Sequence, residues 1–134
     1  MGTTIDLLPH RPPWLLVDRV VAKTETTVEA HKLLAADDPL LVRATLELPD
    51  FLVLEALAQA AACLATEALG RHTGLLVAAT QFHPRERARA GETLRLVAVR
   101  QAVLGRLHRF DCTAFVGERL IAQGQLTFAL EETP

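Results

Sequence analysis

Tyrosine is absent from this 134-residue chain, tryptophan and methionine occur once each, and aromatic residues make up only 4% of it. With so few rings to stack on bases and a net charge of −2, the chain lacks both ingredients of a nucleic-acid surface. Cysteine is scarce too: Cys63 falls inside a helical pattern and Cys112 inside a strand-like run. Both read as reduced core residues, and a disulfide is not expected. No cysteine–histidine pair has metal-ligand spacing, so neither a metal nor another cofactor is expected. Glycine-rich phosphate loops, repeats and low-complexity linkers are missing. The opening Met-Gly-Thr-Thr-Ile-Asp has no basic head followed by an apolar block, so the reading is of a cytoplasmic chain without an export signal. A hydrophobic share of 50% with 22% charged residues describes an ordinary soluble globule, read as one domain over residues 1–134.

What the chain does have is one long apolar segment, "PDFLVLEALAQAAACLATEALG", from Pro49 to Gly70. Ala and Leu dominate it and no internal Gly or Pro interrupts it, so it predicts a helix. Asp50 is the expected N-cap and Gly70 the expected C-terminal glycine. Apolar residues lie nearly all round the first half, which predicts burial on most sides. Polar residues interrupt it too often for a membrane span, and no membrane association is expected. Within that half, Glu55 and Gln59 stand four apart, on one side of the helix, with Cys63 continuing the line. A carboxylate placed there is the first candidate for chemistry, because Glu is rarely buried without a partner or a task.

The flanks read as sheet. "WLLVDRVVA" (Trp14 to Ala22) and "TTVEAHKLLA" (Thr26 to Ala35) precede the helix, and "GLLVAATQF", "ETLRLVAVR", "HRFDCTAFV" and "RLIAQGQLTFAL" follow it. Turn signals fall at Gly91, Gly105 and Gly117-Glu118, and the last run alternates with the period of a half-buried antiparallel strand. One apolar helix and one antiparallel sheet must cover each other. The expected fold class is therefore α+β, a long central helix wrapped by a curved antiparallel β-sheet, after a short N-terminal helix.

Four segments carry a resemblance. "LLPHRPPWLLVDRVV" (Leu7 to Val21) resembles the N-terminal signature of the hotdog-fold β-hydroxyacyl-(acyl carrier protein) dehydratases. "LPDFLVLEALAQAAA" (Leu48 to Ala62) is similar to that family's central-helix motif, Pro-Gly-Val, two hydrophobic residues, then Glu-Ala-x-Ala-Gln. "FHPRERARAGETLRL" resembles its basic strand and turn, and "GERLIAQGQLTFAL" its last strand. The resemblance implies a hotdog fold and a dimer with acyl sites at the interface. It implies that Glu55 faces the acyl tunnel and works with a histidine from the other subunit, with Gln59 as its polar neighbour. Dehydration needs a base for the proton beside the carbonyl and an acid for the departing hydroxyl. Backbone N–H groups near Phe51 and Leu52 would polarise the thioester carbonyl.

The chain departs from the pattern at two places. The family's Gly-His-Phe-Pro slot falls on Leu40-Leu41-Val42-Arg43, so the histidine position holds Leu41, which cannot move a proton. The helix-start glycine is replaced by Asp50, a negative side chain where carbonyl polarisation is needed. His10 is a substitute candidate, while His31 reads as a surface or rim residue, His72 as structural, and His83 and His108 as surface residues among arginines. Three readings stay open. In the first, favoured here, the chain is a Glu-bearing dehydratase subunit paired with a His-bearing hotdog chain, similar to the accessory subunits of aryl polyene-type and related polyketide pathways. In the second it is a hotdog thioesterase using Glu55 as base or nucleophile. In the third it is a non-catalytic acyl-binding or assembly subunit. Asp50, Phe51, Leu52 and Leu41 are the expected substrate-side residues. The substrate is expected to be a thioester of acyl carrier protein or CoA. Arg85, Arg87 and Arg89 alternate as if on one side of a strand, a candidate patch for an acidic carrier protein. A homodimer and a heterodimer with another hotdog chain are both compatible with these residues.

Overall fold

Small side chains let the predicted helix lie close against a sheet. The computed structural model describes residue 8, residues 11–68 and residues 73–131. Within them the chain runs β1 (Arg19–Lys23), β2 (Thr27–Leu33), α1 (Asp50–Ala68), β3 (Thr73–Pro84), β4 (Thr93–Leu104), β5 (Leu107–Val116) and β6 (Arg119–Glu131). Ala56, Ala60 and Ala61 have no exposed surface and alternate with the buried Val53, Leu57 and Leu64, so small and large side chains interleave on that side of α1. The expected short N-terminal helix, His10, Gly70 and His72 fall on positions outside the described residues.

The strands pair antiparallel throughout, in the order β1-β2-β4-β5-β6-β3. After β2 the chain leaves the sheet, crosses it as α1, and returns at the far edge as β3. β1 and β3 are therefore the two edges, each paired within the chain on one side only. α1 touches β1, β2, β3, β4 and β5, which is the helix wrapped by a sheet that the sequence predicts.

Period-two alternation supplies the inner face: Val28 and Ala30 on β2, Leu94, Leu96 and Ala98 on β4, Phe110, Cys112 and Ala114 on β5. Phe110 meets Phe128 of β6 edge to face, with ring centroids 5.8 Å apart. The hairpin β4–β5 turns at Gly105 and β5–β6 at Gly117, both at φ 60°, which a two-residue hairpin turn requires and glycine adopts without strain. The alternation expected of β6 holds from Ala122 to Phe128. A register shift beside Ala114/Phe115 buries Ile121 as well and leaves Leu120 half-buried.

Two expectations are corrected. The run from Trp14 does not join the sheet until Arg19, because the main chain at Trp14 and Leu16 is bonded to a side chain of α1. His108, expected at the surface, is buried: it pairs with Val103 and Phe128 and faces inward with Phe110, while its neighbour Arg109 faces out.

The edge strand β3 kinks near its end. Its pairing with β6 shifts between Thr80 and His83, and Gln81 takes φ 53°. The kink folds Phe82 against Gly124, where an added Cβ would stand 3.1 Å from the Phe82 Cα. Backbone on one side and ring on the other leave little room to yield. Gly124→Ala is expected to lower stability by about 1–3 kcal/mol, the range for overpacking a well-filled site. A lower urea midpoint with an unchanged m-value would show it.

Candidate active site

The site is built from the buried amide of Gln59, which is 1% exposed. Its Oε1 accepts from the Leu16 N–H at 2.7 Å. Its Nε2 donates to the Trp14 carbonyl at 2.8 Å and to Glu55 Oε1 at 3.1 Å. These partners fix which end of the amide is oxygen, since a flipped amide would set NH₂ against N–H and oxygen against two acceptors. One side chain thus pins the segment before β1 to α1 and holds the Glu55 carboxylate one turn away. Glu55 itself is half-buried. The helix is buried on most sides, as its sequence predicts, but one stripe stays open: Phe51 is 68% exposed, and Leu54, Glu55 and Ala62 are only partly covered. Because Phe51 and Glu55 are four apart, this open stripe is one flank of α1.

At the helix start, the cap is Pro49 and not Asp50. The Pro49 carbonyl accepts from Leu52 N–H at 3.0 Å and Val53 N–H at 3.3 Å, which places Asp50 in the first turn. The Asp50 carboxylate instead meets Arg87 Nε at 3.2 Å, and Glu47 meets Arg89 at 3.7 Å. Of the two expected carbonyl polarisers, Leu52 N–H is engaged by Pro49, while Phe51 N–H has no backbone acceptor among the described residues. Leu41 is turned into the core at 4% exposure, with its N–H on the Asp38 carbonyl. Leu52 is buried in the same core.

Arg85, Arg87 and Arg89 are all exposed, but they do not share a strand. β3 ends at Pro84, and the three arginines lie on the connection to β4, tied down by an isolated bridge between Glu47 and Arg89. Arg87 and Arg89 line a surface concavity of about 320 Å³ together with Glu47, Glu86, Glu92 and Arg119. There Arg119 reaches Glu92 at 2.7 Å and Glu86 at 3.0 Å, so acidic and basic side chains alternate. Sequence reading missed this network and the Gln59 bonds to the main chain. The Glu55–Gln59 spacing signalled only the bond between those two side chains. His31 sits on β2 with Nε2 3.9 Å from Glu29, and exposed His83 lines a second concavity, with Gln81, Arg85 and Gln125.

Comparison with known proteins identifies the class first. The solved dehydratase heterocomplex ApeI:P from Xenorhabdus doucetiae contains a chain with a TM-score of 0.85 to this one at 17% identity, covering 99% of this chain and 93% of that one. A hypothetical thioesterase protein from Streptococcus pneumoniae, solved with coenzyme A, reaches 0.72 at 10% identity, the match covering 86% of each chain. These likenesses define a hotdog fold. The family model of ApeP-like dehydratases matches residues 3–132, and the chain belongs to that family. Curated relatives include the 3-hydroxyacyl-(acyl-carrier-protein) dehydratase FabZ of Chlamydia caviae, 32% identical over 94% of this chain and 88% of the relative. The FabZ of Alkalilimnicola ehrlichii is 34% identical over 93% and 86%. The protein is thus a 3-hydroxyacyl thioester dehydratase or a subunit of one. No helix among the described residues is long and apolar enough to cross a membrane.

Two outcomes are expected here. Gln59→Leu strands the Trp14 carbonyl and the Leu16 N–H, and should cost about 2–6 kcal/mol in chemical denaturation, roughly 1–3 for each of the two groups left without a partner. Cys112 has its thiol pushed up to about 12 by burial and, secondarily, by the Asp111 charge. Below pH 9 both folded and unfolded thiols are protonated. Between about 9 and 12 only the unfolded one ionises, so this group makes stability fall as pH rises through that window. Cys112→Ala should flatten that slope in melts run from pH 8 to 11.

Proposed function

We propose that the chain is the carboxylate-bearing subunit of a 3-hydroxyacyl-(acyl carrier protein) dehydratase of fatty acid or polyketide biosynthesis, of the aryl polyene type, completed by a histidine-bearing hotdog partner. One observation carries this reading: Glu55 is held by Gln59 on an open flank of α1, while the slot that holds histidine in the resembling family holds a core leucine, Leu41. A 3-hydroxyacyl thioester loses water when a base takes the proton beside the carbonyl and an acid protonates the leaving hydroxyl. Glu55 supplies one of these roles and the partner's imidazole the other. Gln59 acts as the positioning residue, since all its bonds hold other groups in place. The free Phe51 N–H is the remaining helix-start donor for the thioester carbonyl, with Asp50 drawn aside by Arg87. His10 stays a further candidate for proton transfer. Arg85, Arg87 and Arg89 form the carrier-protein side, where an acidic carrier would compete with Asp50 and Glu47 for the two paired arginines.

The test is turnover of a 3-hydroxyacyl-carrier-protein thioester, with water loss and thiol release followed together. The chain alone should be silent, and adding a histidine-bearing hotdog chain from the same genome should start dehydration. Glu55→Gln should cut that rate by about 10²–10⁴, the usual worth of a general acid–base group. Dehydration by the chain alone would sink the two-subunit reading, and thiol release would favour a thioesterase, for which Glu55 alone provides a base or nucleophile.

A further inference from the structure

The alternation that sends Phe110, Cys112 and Ala114 of β5 inward turns Asp111 and Thr113 to the face of the sheet away from α1. Register sets Gln125 of β6 beside Asp111 and Gln123 beside Thr113, and it sets His83 of β3 beside Gln123. Residues paired in this way stand about 5 Å apart, so the five side chains form one polar field across three strands. The kink that folds Phe82 against Gly124 leaves Gln81 and His83 exposed at its margin. With Arg85 they line a concavity of about 470 Å³ to which no residue of α1 contributes. Where Arg87 and Arg89 line a hollow, acids and bases pair with one another. Here no ion pair or side-chain hydrogen bond joins the lining residues. Asp111 Oδ1 is buried and accepts nothing among the described residues. The Arg85 guanidinium meets no acceptor among them either, although its main-chain N–H is held by the Ile121 carbonyl at 2.8 Å.

We infer that this concavity binds a small zwitterion of the ω-amino acid class, its ammonium end on Asp111 and its carboxylate end on Arg85. A buried carboxylate oxygen without a donor carries a desolvation cost, and a charged N–H group relieves it best. A guanidinium takes a carboxylate through two parallel N–H bonds. Asp111 and Arg85 line one hollow yet form no ion pair with each other, and the register shows why. Along β6 the residue paired with Asp111 is Gln125, whereas the carbonyl that holds Arg85 is Ile121, four residues or about 14 Å away. A ligand that meets both therefore carries its charges at the two ends of a short chain, not on one carbon. Between those ends Thr113, Gln123 and Gln125 supply a hydroxyl and amides that donate or accept as needed. No large apolar residue lines the hollow, so it is unsuited to an acyl chain. The site is thus separate from Glu55, and the inference does not depend on the two-subunit reading.

Amide NMR spectra of the full chain, titrated with ω-amino acids from β-alanine to ε-aminocaproate, test this. At least one of them should move the signals of Asp111, Thr113, Gln123 and Gln125 in a saturable way. Hexylammonium and hexanoate, each carrying one of the two charges, should bind about tenfold or more weakly than ε-aminocaproate, the loss of one charge-assisted contact. Glycine, whose charges sit on one carbon, should bind as poorly as they do. Asp111→Asn and Arg85→Gln should each weaken the best ω-amino acid about tenfold or more, with circular dichroism melts to show that both variants fold. The single-charge ligands are read on the unaltered chain, so a misfolded variant leaves the test intact. Failure of every ω-amino acid to saturate these signals would overturn the inference. So would hexylammonium or hexanoate binding as tightly as ε-aminocaproate, or undiminished affinity in both variants.

Discussion

The amide of Gln59 is the constraint from which most of this site follows. Buried without partners it would be costly, because an amide stripped of water needs its hydrogen bonds replaced. It finds them in three places that have nothing else in common: a carbonyl and an N–H of the segment before β1, and the carboxylate one turn earlier on its own helix. The main-chain groups of Trp14 and Leu16 therefore face a side chain and not a neighbouring strand, and β1 starts late. The Glu55 carboxylate, in turn, is oriented by a group that cannot rotate. Stability of the N-terminal segment and geometry of the Glu55 carboxylate rest on the same few atoms.

A second constraint operates at the helix start. The relatives' motif places glycine there, and this chain places Asp50, whose charge suits the positive end of the helix dipole but opposes its use on a carbonyl. The structure draws that carboxylate outward onto Arg87, and Glu47 onto Arg89. Such half-exposed pairs add little stability. Their effect is positional: they lash the β3–β4 connection to the segment that leads into α1. Arginines that look like a free basic stripe in the sequence are half occupied in the fold.

Legibility in the sequence followed the range of the physics. Strand periods, the Gly105 and Gly117 turns and the presence of α1 depend on neighbours within a few residues, and could be read directly. The late start of β1 could not, since its cause is a bond from Gln59, far along the chain. His108 misled for a related reason: arginines flank it in sequence, but strand register turns it inward beside Phe110. Arg85, Arg87 and Arg89 alternate as a strand would, and only the distant Asp50 and Glu47 show that the backbone there is irregular. Within the site, the Glu55–Gln59 spacing was legible because helical geometry guarantees it. Phe51 was legible as a backbone donor, whereas its exposed ring was not, because a pattern apolar all round gives no sign of which flank stays open.

The strand order also bears on how such a chain is made. β3 is a 12-residue edge strand, long compared with the five residues of β1 at the other edge. Natural sheets shorten or charge their edges to keep them from pairing at random, and this one is interrupted by a register shift between Leu76 and Ala78 and blunted near its end by the kink at Gln81 and the closing Pro84. A ribosome releasing this chain alone releases a ready template for strand addition. Were the proposed partner chain to cover that edge, making the two together would protect solubility as well as activity.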